Sequence, residues 1–147
     1  MPEQNQDNLS VVYGGIFLFI LLLNVGFSVL IKTQGLFAVQ NEFPFGLPVS
    51  PLILWLILGF VTWAVFQFKF FTFAPIGSVL LMAGAWSNFT ERLLFGSVAD
   101  YIYLGRSYAN LADFQIWVGV ILINLVVWGV LDNRELSIEN SDEPAAA

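Results

Sequence analysis

The sequence predicts an all-α membrane protein with four transmembrane helices, and three observations lead there. Of 147 residues, 58% are hydrophobic and only 11% charged, and the mean hydropathy is +0.78. A soluble domain carries nearer one quarter charged residues because its surface needs polar cover, so the apolar excess here must face lipid. The third observation is arrangement. Four uncharged apolar stretches occur, 11–31, 51–68, 70–90 and 114–131, each close to the roughly 20 residues that cross a hydrocarbon layer about 30 Å thick.

Each stretch has its own local grammar. The leader MPEQNQDNLS holds two acids and no Lys or Arg, and the run behind it is too long for a signal-peptide core, so 11–31 is expected to stay as a helix. The second span, 51–68, follows the breakers Pro48 and Pro51. The third, 70–90, has Pro75 in its first turn, where a missing N–H costs little. The fourth, 114–131, follows Asp113. Residues 132–147 are acidic, end in SDEPAAA, and are expected to form a disordered tail. There is no internal repeat, so 1–147 reads as a single domain.

Composition also limits the chemistry. Zero Cys and zero His exclude disulfides, thiol nucleophiles, zinc fingers, haem-type ligation and His-based triads. What remains is carboxylates, hydroxyls, amides and lysine. The net charge of -6 says little about partners, because Glu3 and Asp7 lie in the head and Asp132, Glu135, Glu139, Asp142 and Glu143 in the tail. Four spans put both termini on one face and the connections 32–50 and 91–113 on the other. Lys69 and Arg134 then face Lys32, Arg92 and Arg106 across the bilayer, so charge bias alone leaves the orientation open.

Away from the termini the charges are Lys32, Glu42, Lys69, Glu91, Arg92, Asp100, Arg106 and Asp113, and five of these eight fall between the third and fourth spans. Ionisable groups at membrane depth are costly, so a cluster at helix ends is a candidate site. Asn88 and Arg92, spaced i, i+4, share a face if the third helix continues through them. Asn110 and Asp113 also read as a helix N-cap with an acid in the first turn, and Glu91 with Arg92 as interfacial charges that snorkel. Asp100, set among apolar neighbours in SVADYIYL, is expensive unless paired or wet. The five Trp residues and the tyrosines read as interfacial belt and packing residues.

These residues resemble the lipoprotein signal peptidase (type II signal peptidase) family, whose late motifs run G-x-x-x-N-x-x-D-R, G-x-V-x-D-F-I and N-x-A-D-x-x-I-x-x-G. Gly84, Asn88 and Arg92 fit the first. Gly96, Val98, Asp100 and Ile102 fit the second, and Asn110, Ala112, Asp113, Ile116 and Gly119 the third. Glu91 stands where the family has Asp, Ser87 where it has Gly and Tyr101 where it has Phe. In the first half, the family's D-x-x-S/T-K pattern meets NVGFSVLIKTQ, which offers Asn24 or Ser28 and a displaced Lys32 but no acid. The family's N-x-G-x-A-F-G meets QNEFPFGLP, where Phe45 and Gly46 match, with either Gln40 or, after a one-residue deletion, Asn41.

The resemblance implies an intramembrane aspartic endopeptidase of the bacterial cytoplasmic membrane, multi-pass, with cytoplasmic termini and its site near the outer face. It would remove signal peptides from diacylglyceryl-modified prolipoproteins, cutting before the lipidated cysteine. Asp100 and Asp113 would be the catalytic pair, with Asn88, Glu91, Arg92, Asn110 and Asn41 supporting or binding substrate. The expected partners are the lipid-modified prolipoprotein and membrane lipids, with no nucleic acid, metal or cofactor, and the expected state is a monomer. Two close carboxylates share one proton, so one activates a water while the other polarises the scissile carbonyl. No single helix face holds both residues, so YIYLGRSYAN must fold back, with Gly105 as the turn, and QNEFPFGLP would lie above the site as a lid. A catalytically silent relative that binds lipoproteins or another membrane partner is the alternative. An ion-passage subunit would instead place its acids in mid-span.

Overall fold

The computed structural model describes residues 2–36, 38–41, 50–68 and 70–129. In chain order the elements are α1 (Pro2–Thr33), β1 (Val39–Asn41), α2 (Pro51–Gln67), α3 (Phe70–Phe73), α4 (Pro75–Phe95), β2 (Val98–Asp100), β3 (Ile102–Tyr103), β4 (Tyr108–Ala109) and α5 (Leu111–Val127). The chain is therefore mostly helical rather than all-α. Residues 98–100 are buried, and a buried backbone must find hydrogen-bond partners. Here β2 pairs antiparallel with β1, and β3 with β4.

The helix ends follow local chemistry. Ser50 caps α2 by accepting the Ile53 N–H at 3.4 Å, with Pro51 at the first helical position. The third stretch breaks at Ala74 (φ -136°, ψ 62°), because the ring of Pro75 pushes the preceding residue out of the helical region. Pro75 thus starts α4 instead of lying in the first turn of a helix begun at Phe70. Past Thr90, α4 runs on to Phe95, which brings Glu91 and Arg92 onto the helix, and α1 takes in most of the polar leader.

The core sits where α4 meets α1 on one side and α5 on the other. Small residues permit the α4–α5 approach. A Cβ on Gly84 would meet the Ala112 carbonyl oxygen at 2.5 Å, and one on Gly119 would meet the Leu81 nitrogen at 2.6 Å. Both obstacles are backbone and cannot swing aside. Gly84→Ala is expected to force the helices apart and to cost about 1–3 kcal/mol, read as a lower thermal midpoint in detergent.

One helical segment among the described residues, Val11–Thr33, is long and apolar enough to cross a membrane; Leu52–Gln67 and Leu111–Val127 are shorter apolar helices. The outward faces of all three are rich in large apolar side chains, among them Leu22, Phe60 and Trp117, the last 69% exposed. Trp55, Trp63 and Trp128 are exposed too, whereas Trp86 is half-buried, its ring edge-on to Phe89 at 5.9 Å. Glu42, Phe45, Gly46, Lys69, Arg134, most of the expected lid and the acidic tail lie outside the described residues.

Candidate active site

Four short pieces of chain bring the polar residues together. The last turns of α4 present Asn88, Glu91 and Arg92, and Gly96 ends the helix in the left-handed region (φ 74°), its N–H returning to the Arg92 carbonyl at 2.9 Å. That reversal leads straight into β2, which ends on Asp100. The β3–β4 hairpin then folds the chain back, with Gly105 at φ 86° and the Leu104 N–H on the Ser107 carbonyl at 2.9 Å. It delivers Asn110 to the head of α5 and Asp113 to its first turn.

Asn110 is both helix cap and hub. Its side-chain oxygen accepts the Asp113 N–H at 3.0 Å, while the Asp113 carboxylate accepts the Asn110 N–H at 3.1 Å, a complete capping box. The Asn110 Nδ2 donates to Asp100 Oδ1 at 2.9 Å and to Asn88 Oδ1 at 3.1 Å. Asn88 in turn donates to Asp113 Oδ1 at 2.7 Å. Two amides therefore link two carboxylates in one buried network, with Asp100 4% and Asn110 2% exposed. The N-cap reading of Asn110 with Asp113 and the site reading describe the same atoms.

The supporting residues divide. Arg92 donates to the Asn88 carbonyl at 3.2 Å, and its charge acts on those of Asp100, Asp113 and Glu91; its Nε is buried with no hydrogen-bond partner. Glu91, 1% exposed, turns away from the amide network. Its two oxygens accept the Ser28 hydroxyl at 2.5 Å and the Ala99 N–H at 3.2 Å. Asn41 lies in β1, opposite Val98 in the β1–β2 register that also sets Val39 against Asp100. Its neighbour Gln40 accepts the Ser97 hydroxyl at 2.8 Å. The first connection thus borders the strand that carries Asp100.

Tyr101 explains a departure that its motif leaves open. Its phenol oxygen accepts the Leu111 N–H at 3.1 Å, satisfying an orphan donor at the start of α5, and burial pushes that phenol up from its ordinary pKa. Phe27 packs edge-on to the same ring at 5.2 Å. Tyr101→Phe is expected to cost about 1 kcal/mol, measured as a thermal shift, with the fold retained.

Residues that carried no expectation of contact also belong here. Asn24 Nδ2 donates to Ser87 Oγ at 3.1 Å and to Gln115 Oε1 at 2.6 Å, and Gln115 returns a bond to Asn24 at 3.3 Å. Lys32 donates to the Ser97 carbonyl at 2.8 Å and sits 4.4 Å from the centre of the Phe95 ring. A cavity of about 430 Å³ opens beside Lys32, Gln40 and Ser97, and neither aspartate lines it. Among the described residues no cluster of His, Cys, Asp or Glu side chains is placed to hold a metal ion.

Residues 2–129 match the profile of a family described as signal peptidase (SPase) II. A lipoprotein signal peptidase from Sinorhizobium fredii is 39% identical over 100 residues, an alignment that takes in 65% of this chain and 54% of that protein. The chain thus spans about half the length of the curated relative it matches. A bacterial membrane enzyme solved by the in meso method at 2.3 Å shares 21% identity with a TM-score of 0.67, over 92% of this chain and 94% of that one. A second bacterial membrane enzyme, solved at 1.9 Å, shares 22% identity with a TM-score of 0.63 over 79% and 92%. At that identity the likeness shows the fold.

Proposed function

The chain belongs to the signal peptidase II family, and from that premise we propose that it is a membrane aspartic endopeptidase that removes signal peptides from diacylglyceryl-modified prolipoproteins, cutting before the lipidated cysteine. The observation that carries this reading is the bridge through Asn110, whose one amide nitrogen touches Asp100 and whose backbone N–H binds Asp113. Two acids so joined can divide the labour of hydrolysis. The ionised carboxylate takes a proton from a water that attacks the scissile carbonyl. The protonated one donates toward the carbonyl oxygen and later returns a proton to the leaving amine. Asn88 and Asn110 hold both carboxyls in place, and Arg92 offsets part of the charge of three neighbouring acids.

The same reading places the chain in the bacterial cytoplasmic membrane with four crossings. These are α1, α2, the α3–α4 unit and α5, both termini being cytoplasmic and the aspartates at the outer ends of their helices. Apolar outward faces on α1, α2 and α5 support a lipid surround, since water would not tolerate patches of that size. At 17 residues each, α2 and α5 reach about 25 Å, which a locally thinned bilayer accommodates. The substrate's acyl chains would lie along those faces.

The test is cleavage of a synthetic diacylglyceryl-modified prolipoprotein by the purified protein in detergent, with product mapped by mass spectrometry. Cleavage immediately before the lipidated cysteine is the expected result. A folded protein inert on several such substrates would leave the silent, lipoprotein-binding relative as the better reading.

A further inference from the structure

Both aspartates hang on elements that have no covalent reason to stay in register. Asp100 ends a three-residue strand, and Asp113 begins a helix on the far side of a hairpin. Hydrogen bonds through Asn110 join them, but a network of short side chains can drift as a body unless something rigid fixes its two supports. The structure offers one such support. A face of α1 carries Asn24 and Ser28, one turn apart, and both are buried.

Ser28 fixes the Asp100 side. Its hydroxyl donates to Glu91 Oε1 at 2.5 Å, and Glu91 Oε2 accepts the N–H of Ala99 at 3.2 Å, the residue next to Asp100. Asn24 fixes the Asp113 side. Its amide makes a reciprocal pair with Gln115, two residues from Asp113 on α5, and also donates to Ser87 on α4. Each link that leaves α1 is side chain to side chain, across 63 to 91 residues of sequence, and Glu91 passes its own on to the β2 backbone. Ser28 and Asn24 act on the elements that bear the carboxyls, Ser28 through Glu91 and the backbone beside Asp100, Asn24 through Gln115 on the helix that Asp113 helps to begin.

We propose that α1 acts as a positioning bar for the catalytic pair, holding β2 through Ser28 and Glu91 and holding α5 through Asn24 and Gln115. The inference rests on the peptidase reading of Asp100 and Asp113. It gives a physical role to a first helix that lacks the acid of the family's D-x-x-S/T-K pattern. Neutral Asn24 and Ser28 hold by hydrogen bonds, and the longer arm of Glu91 spans from Ser28 to the β2 backbone.

The test compares Ser28→Ala, Glu91→Ala, Glu91→Gln and Asn24→Leu in the full-length protein with two readouts. The first is backbone hydrogen exchange over residues 98–101 and 111–116, which needs no activity. The second is kcat and KM on the lipidated prolipoprotein. Misplacing catalytic groups by about 1 Å costs about a hundredfold, so Ser28→Ala and Glu91→Ala should exchange faster at Ala99 and lose about that much in kcat, with KM little changed. Asn24→Leu should loosen 111–116 instead. Glu91→Gln keeps an oxygen for the Ala99 N–H and an amide for Ser28, so it should recover most of what Glu91→Ala loses, which general loss of fold stability would not allow. Unchanged exchange in all four variants beside an active wild type overturns the positioning bar and leaves the peptidase reading intact. An inert wild type whose variants loosen as described overturns the peptidase reading, while the bar stands as an anchor of β2 and α5.

Discussion

Asp100→Asn is expected to abolish processing of a lipid-modified prolipoprotein, by about 10⁴-fold or more, while leaving the fold untouched. The loss is large because the two carboxyls work as a unit, and removing one member of such a unit costs nearly as much as removing both. The fold should survive because Asp100 Oδ1 accepts from Asn110 Nδ2, and an asparagine oxygen accepts that bond equally well. Asp113→Asn should be as inactive but less stable. Both Asp113 oxygens accept, one from Asn88 and one from the Asn110 backbone, so an NH₂ group in either place faces another donor and costs about 1–3 kcal/mol. Activity of the two variants, with their melting temperatures in detergent, separates chemistry from stability. Cleavage by either variant at more than a few per cent of the wild-type rate would remove the aspartic pair from the mechanism.

The second large effect belongs to Asn110, where cap and bridge can be pulled apart. Asn110→Ala loses the cap on the Asp113 N–H, worth about 1 kcal/mol, and the donors to Asp100 and Asn88 as well. Asn110→Ser keeps a good cap but is too short to reach the other two. It should therefore fold with the cap intact, give up about 1–3 kcal/mol where its amide leaves Asp100 and Asn88, and lose about a hundredfold in rate. Were Asn110→Ser to cleave normally, Asn110 would be a helix cap and nothing more.

Much of the architecture was legible from residue order alone, because its causes are local. Pro75 marks a helix start whatever surrounds it. Asn110 three residues before Asp113 spells an N-cap with an acid in the first turn, and Gly105 in a polar gap marks the return of the chain. Strands were not legible: Val98, Ala99 and Asp100 form one only because β1 arrives beside them from the other end of the chain. The break at Ala74 was a nearer miss, since the residue before a proline is pushed out of helix and Pro75 therefore ends α3 as well as beginning α4.

Within the site, spacing paired Asn88 with Arg92 and Asn110 with Asp113, apolar surroundings singled out Asp100 as a charge that needs a partner, and the resemblance to the family's motifs joined all five as a group. Which atoms touch was beyond reach. Glu91 with Arg92 reads as interfacial charges that snorkel, yet in the structure Glu91 is buried and faces α1 and the β2 backbone. Nothing near Asn24 or Gln115 suggests that they meet, because they are 91 residues apart and their contact depends on how α1 and α5 are rotated about their own axes.

The sequence by itself determined the apolar class of the chain, the positions of most helices, the exclusion of Cys and His chemistry and the short list of acids, since composition, hydropathy and capping are properties of neighbours. Only the tertiary structure decided that Asn110 and Asn88 join Asp100 to Asp113, that Gly84 and Gly119 let α4 and α5 close, and that Asn24 and Ser28 tie α1 to both sides of the site. Those outcomes depend on helix rotation and on backbone approach to within 3 Å of a missing Cβ, quantities set by packing of the whole core and by no single stretch of residues.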